Sequence, residues 1–321
     1  MNLLLSYAYG RKPAWAPILE GVRENGGKTI VDSGAFTAAN SGRAVTLEGY
    51  CHFLRSRSHL FDEYIALDVL GDKEKTLENY SRMVKLGLRP MGVVTIDMKA
   101  EESLAYLENN HRLCVAGGVM RGSASWLPHK ISLINRLSEG TARIHGLGYT
   151  PSPLNPSLEI ASVDSSSWVS ASKFGDTCWW DAGSARVMSK MWSKVKEDGM
   201  PPSLAAVFRN SSIKEETLEE DPRRLARGMT SVLGYLSALA WVCRTAFLKR
   251  SQDCDFYFVA TEPVHSIPIL SAMRYGRRDG SMDVDAAIDS ELALKRSLPD
   301  SADVIRRYAQ KAFDNYRENI L

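Results

Sequence analysis

The sequence predicts an α/β protein: a (β/α)8 TIM-type barrel with a helical insertion between strands seven and eight and a C-terminal helix. Three observations carry that expectation. Short apolar, β-rich runs alternate with amphipathic stretches along the chain. The runs are apolar throughout, as strands covered on both faces are. Eight of them can be read, the number that closes a parallel barrel. An open sheet built from the same alternation is the alternative architecture.

The first strand is read at 2–8, where three leucines follow Met1-Asn2 without the charged head of a leader peptide. Further strands are read at 28–32, 63–68, 90–96, 112–116, 143–148, 159–164 and 255–260. Helical patterns fall at 14–24, 46–59, 73–87, 100–109 and 127–138. The link between the sixth and seventh strands carries Pro151, Pro153 and Pro156, which leaves little room for a helix. The link from 165 to 254 far exceeds an ordinary βα connection. It is read as an inserted, mostly helical subdomain with helices near 183–198 and 221–250. The barrel domain is then 1–164 with 255–280, and 281–321 is a C-terminal helical tail whose amphipathic helix spans 300–319.

Composition narrows the function classes. With 44% hydrophobic and 24% charged residues, the chain is neither disordered nor collagen-like. No apolar run is read as reaching the ~20 residues of a membrane span, so no membrane partner is expected. The net charge of +2 does not mark a polyanion binder, but local basic stripes suffice for phosphate contacts. Arg223, Arg224 and Arg227 form one such group, and Lys249 with Arg250 another. Cys51, Cys114, Cys178, Cys243 and Cys254 are scattered with no CxxC pair, which points to a reducing, cytoplasmic setting. No P-loop, HExxH or complete dinucleotide fingerprint occurs, so neither cofactor nor metal is expected.

Chemistry in a parallel barrel collects at the carboxyl ends of its strands. There the chain places Asp32-Ser33-Gly34-Ala35-Phe36, Asp68, Asp97, Gly117-Gly118, Gly146-Leu147-Gly148 and Asp164. Glycines at such points let the backbone approach a flat ligand. An aspartate after a strand is often only a helix cap; Asp97 and Asp72 are read that way. Asp32 is followed by what reads as a polar loop, and Asp164 by Ser165-Ser166-Ser167-Trp168, so both read as site residues. His145 sits inside the sixth strand, either at the mouth or as a satisfied core histidine.

Taken in order, these segments resemble the tRNA-guanine transglycosylases. Val31-Asp32-Ser33-Gly34-Ala35-Phe36 resembles that family's DSGG-aromatic segment, and Ala116-Gly117-Gly118-Val119 its glycine pair. His145-Gly146-Leu147-Gly148 is similar to its LxGVG strand end, with Thr150-Pro151 in the link that follows. Ser162-Val163-Asp164 resembles the strand bearing its nucleophile. The likeness runs collinearly over roughly 25–170. It implies an exchange of guanine for a 7-deazaguanine in nucleic acid without backbone cleavage. Asp164 would be the nucleophile and Asp32 the acid/base. Asp68, Phe36, Ser33, Gly117, Gly118, Leu147 and Gly148 would hold the base. Trp168, Lys173, Arg223, Arg224 and Arg227 would meet the polymer, with Trp179 and Trp180 as further stacking faces.

The sequence departs from the family in three places. The CxCxxC-plus-His zinc segment is missing, Ala35 replaces a glycine, and a Ser-rich turn replaces the arginine-bearing segment. A compact, zinc-free chain of this kind resembles phage-encoded enzymes that modify DNA, which would work in the host-cell cytoplasm. DNA is therefore the favoured polymer and tRNA the alternative. A barrel hydrolase or aldolase of a small metabolite, and a non-catalytic nucleic-acid-binding barrel, are the other readings.

Overall fold

The computed structural model describes residues 1–41, 45–116, 123–149, 158–169, 174–214, 218, 230–297 and 302–321. The chain divides into two compact units. The first is Met1–Trp15, Gly26–Ser165 and Asp253–Thr261; the second is Ala16–Asn25, Ser166–Gln252 and Glu262–Leu321.

The described strands are, in chain order, β1 (Asn2–Ser6), β2 (Thr29–Asp32), β3 (Glu63–Tyr64), β4 (Gly92–Val94), β5 (Arg112–Val115), β6 (Arg143–Gly146), β7 (Ser162–Ser165), β8 (Asp176–Asp181), β9 (Arg186–Met191) and β10 (Asp255–Ala260). Eight of them build the first unit as one parallel sheet in the order β3-β2-β1-β10-β7-β6-β5-β4. The sheet is curled as a TIM-like half-barrel. The strands at the two ends of that order are linked by a parallel bridge between Ile65 and Met91. Ala66 N–H donates to Met91 O at 2.9 Å there, and Met91 N–H to Tyr64 O at 2.8 Å.

Residues paired in register on neighbouring strands share a face of the sheet, and every second residue of a strand returns to it. Ser6 pairs with Asp32 and Leu4 with Val259; Tyr257 pairs with Asp164, Ser162 with His145, and His145 with Cys114. Ile30 pairs with Glu63, and Arg112 lies two before Cys114. One face therefore carries Asp32, Glu63, Arg112, His145, Ser162 and Asp164. Leu3, Leu5, Val31, Leu113, Val115, Ile144, Val163, Phe256 and Phe258 occupy the other and are all buried. That apolar face is what drives the strands into a packed core.

Among the described helices, α1 (Ala16–Glu24) belongs to the second unit, while α2 (Ala35–Ser41), α3 (Leu47–Ser56), α4 (Lys73–Lys85), α5 (Ala100–Ser103) and α6 (Ser123–Leu137) belong to the first. Asp72 caps α4 as expected, accepting from Lys75 N–H at 2.8 Å. Asp97 does not cap α5. It takes the Thr95 hydroxyl at 2.6 Å, and Glu102 reaches back to Lys99 N–H at 2.6 Å instead.

The second unit corrects part of the helical expectation. Residues 176–191 form an antiparallel hairpin, β8–β9, although the sequence pattern predicts a helix from 183. Asp181 takes Gly183 N–H at 3.2 Å and the Ser184 hydroxyl at 2.7 Å, which closes the turn. The unit continues with α7 (Trp192–Asp198), α8 (Pro202–Asn210), α9 (Val232–Gln252), α10 (Ser266–Tyr275), α11 (Val284–Ser297) and α12 (Ala302–Asn315). The 21 residues of α9 are long and apolar enough to cross a membrane by length and composition, whereas no run of that length was expected. The helix is mostly buried, Val232 to Ala246 included.

Candidate active site

Asp32, Asp68 and Asp164 meet in the first unit. Asp32 ends β2. Beyond it the chain turns through Gly34 at φ +77°, where a Cβ would lie 2.9 Å from Ser6 Oγ and 3.1 Å from Ala8 N. Only glycine fits there, for both reasons. The turn returns Gly34 N–H to Asp32 Oδ2 at 3.0 Å and Ala35 N–H to Ser33 Oγ at 3.2 Å. A helix, α2, follows directly, where a polar loop was expected. Asp32 remains outside the cap role, because Ser33 takes the Ala35 amide at the helix start.

The Ser33 hydroxyl is buried and donates to Asp68 Oδ1 at 2.8 Å. It thereby ties the end of β2 to the segment after β3. Burial raises the Asp68 carboxyl above the ordinary range, and the Ser33 hydrogen bond works against that rise. Asp32 is pushed up to about 7, first by burial, then by the charge of Asp68, and less by that of Asp164. The Gly34 hydrogen bond opposes the shift. Each of the other two carboxylates thus acts on Asp32 through space.

Asp164 lies on β7 and is 4% exposed. Its Oδ1 accepts from Gly148 N–H at 2.8 Å and contacts His145 Nε2 at 3.2 Å. Among the described residues its Oδ2 has no hydrogen-bond partner. Gly148 sits at φ 64°, the left-handed conformation that aims its amide at the carboxylate. Leu147 is half-buried beside it, with its amide on Val115 O at 3.1 Å. Phe36 is 56% exposed in the first turn of α2.

Other expected site residues lie elsewhere. Gly117, Gly118, Lys173, Arg223, Arg224 and Arg227 fall outside the described residues. Trp168, Trp179 and Trp180 belong to the second unit and are 3%, 3% and 5% exposed. Their burial corrects the expectation that they offer open faces for a base; Trp168 stands edge-on to His265 and accepts from the Ser237 hydroxyl at 2.7 Å through its carbonyl. Arg250 bonds the carbonyls of Ile320 and Leu321 at 2.9 and 2.6 Å. Among the described residues no group of three or more His, Cys, Asp and Glu side chains forms a metal site, and all five cysteines are buried with none in a disulfide.

Sequence reasoning left His145 undecided and missed Ser162, Arg112 and Ser6. Ser6 pairs with Asp32 in register, and its hydroxyl is buried with no partner among the described residues. The signal for the first three was polar residues at alternate positions in otherwise apolar strands. Register, which the sequence does not state, is what joins them.

The sequence matches no protein-family model and no curated relative.

Proposed function

We propose that this protein is a base-exchange transglycosylase, a pentosyltransferase that replaces guanine in nucleic acid with a 7-deazaguanine, DNA being favoured over tRNA. The observation that carries the reading is a pair of carboxylates in contrasting surroundings at strand ends. Asp32 is pushed up to about 7, while Asp164 has one oxygen engaged and, among the described residues, one without a partner. Divergent environments are how two carboxylates divide the roles of acid and nucleophile. The collinear likeness of residues 25–170 to the tRNA-guanine transglycosylases supports the same division.

In this scheme Asp164 Oδ2 attacks C1′ of the target nucleotide. The glycosidic bond breaks, its electron pair goes to guanine, and Asp32 protonates the departing base. The sugar is then held as an ester on Asp164. The incoming 7-deazaguanine gives its ring proton to Asp32, attacks C1′ and frees Asp164. A group titrating near 7 suits both proton transfers at neutral pH. Asp68 accepts from the ring N–H and amine of the base, Phe36 stacks on it, and Ser33, Leu147 and Gly148 line its edge, a role that the family likeness also assigns to Gly117 and Gly118. The scheme needs neither metal nor cofactor, and the target nucleotide must leave its stack.

The reading takes the curled sheet as a closed (β/α)8 barrel with the Ile65–Met91 bridge as its seam. The preference for DNA rests on the missing CxCxxC segment and on the likeness to compact phage enzymes of the host cytoplasm. The test is incubation with labelled 7-deazaguanine and either guanine-containing DNA or unmodified tRNA at matched salt. Label entering intact DNA is the expected result. Label in tRNA alone would change the polymer, strand scission without label would favour a hydrolase, and no incorporation into either would overturn the proposal.

A further inference from the structure

A line of hydrogen bonds crosses one face of the sheet and ends on Asp164. Glu63 pairs with Arg112 Nη1. Arg112 Nη2 donates to Ser162 Oγ at 3.3 Å. Ser162 Oγ lies 2.9 Å from His145 Nδ1, and His145 Nε2 lies 3.2 Å from Asp164 Oδ1. His145 and Ser162 are both 0% exposed. Tyr257 meets the imidazole at 5.8 Å with planes at 88°, which fixes the plane of the ring.

The donor inventory decides where the protons are. A guanidinium only donates, so Ser162 Oγ accepts from Arg112. Among the described residues the only acceptor left for the Ser162 hydroxyl proton is His145 Nδ1. That nitrogen is then unprotonated, and the ring carries its hydrogen on Nε2, facing Asp164. The alternative, an imidazolium, would force Ser162 to accept from both neighbours and strand its own proton.

We infer that His145 is a positioning residue: a neutral imidazole whose Nε2–H tautomer is set by Arg112 through Ser162, and which clamps Asp164 Oδ1 so that Oδ2 is the reactive oxygen. The role assigned to Oδ2 rests on the transglycosylase reading; the tautomer does not. His145 takes no proton during the reaction. It shares the clamp with the Gly148 amide, so Asp164 is held from two directions.

The test has two independent arms. In protein labelled with 15N at its six histidines, the resonances of His145 are identified by their loss in His145→Gln. The expected spectrum near pH 7 shows a protonated Nε2 and an unprotonated Nδ1, and Ser162→Ala, a small change that spares the fold, should produce a mixture of tautomers. A doubly protonated ring, or a hydrogen on Nδ1, would overturn the inference. In the exchange assay, His145→Leu should lower kcat roughly 10²-fold with KM unchanged, as misplacing a reactive group does. Glutamine reaches as far as Nε2 with an uncharged N–H donor, so His145→Gln should recover most of that loss. A glutamine variant as slow as the leucine one would also overturn it. If the parent protein exchanges no base in any polymer, the transglycosylase reading fails while the spectra still decide the tautomer.

Discussion

Asp32 keeps its proton at a pH where an ordinary aspartate has lost it, because burial and the charge of Asp68 both oppose ionisation. That shift links stability to pH. Below about 3.8 the carboxyl is protonated whether the chain is folded or not. Between there and about 7 only the folded chain holds the proton, so stability falls as pH rises through that window. Asp32→Asn removes the group that titrates. Its urea midpoint should vary less over the window than the parent's and should exceed the parent's at about pH 8. A lower midpoint there would contradict the raised carboxyl. The same variant should slow base exchange by roughly 10²–10⁴-fold, the usual worth of a positioned acid/base. Asp164→Asn has a different consequence. An amide cannot form the glycosyl ester, so exchange should vanish while the circular dichroism spectrum stays that of the parent. Retained exchange would remove Asp164 from the nucleophile's role.

At the scale of elements, β4 and the helical turn after α5 are fitted to one another by an absent side chain. A Cβ on Gly92 would lie 2.1 Å from the Tyr106 ring. The ring is held there by its hydroxyl on Val93 O at 3.3 Å and by the edge of Tyr80 at 4.5 Å. Gly92→Ala should therefore destabilise the protein by roughly 1–3 kcal/mol, the range for overpacking a core, read as a lower denaturant midpoint. An unchanged midpoint would show that the ring has room to move. This fit is invisible in the sequence, where Gly92 reads only as a small residue in an apolar run. The strands themselves were legible, since Leu3-Leu4-Leu5, Ile30-Val31 and Phe256-Tyr257-Phe258 have few other uses in a folded chain. The strand-end aspartates were legible for the same reason: Asp32 and Asp164 break apolar runs. The β8–β9 hairpin was not, because Ala182–Ser184 resembles the start of a helix until Asp181 is seen to bind the turn. The place of His145 is equally hidden in the sequence, since its partners lie 17 and 19 residues away on another strand.

For the molecule as a whole, the decisive feature of the first unit is the place of its last strand. β10 lies between β1 and β7, with Asn2 opposite Tyr257 and Tyr257 opposite Asp164. No continuous stretch ending before 255 contains the complete eight-stranded sheet. A fragment of residues 1–252 should therefore lack a cooperative urea transition and strong native-like dichroism. Adding a separately made peptide that spans β10 should restore part of the signal. A cooperative transition in the fragment alone would mean that β1 and β7 can pair without the strand between them.

The central position of β10 also sets a schedule for synthesis. All three aspartates have left the ribosome's active centre by residue 164, yet Asp164 gains its registered partner on the β10 side only when Tyr257 has been made. At ~5–20 residues per second that interval lasts roughly 5–20 s. Throughout it β1 and β7 each present an open edge, the form of backbone that recruits strands from other chains. The nascent protein is thus most exposed to misassembly during translation of residues 166–252, and slower codons there would lengthen that exposure.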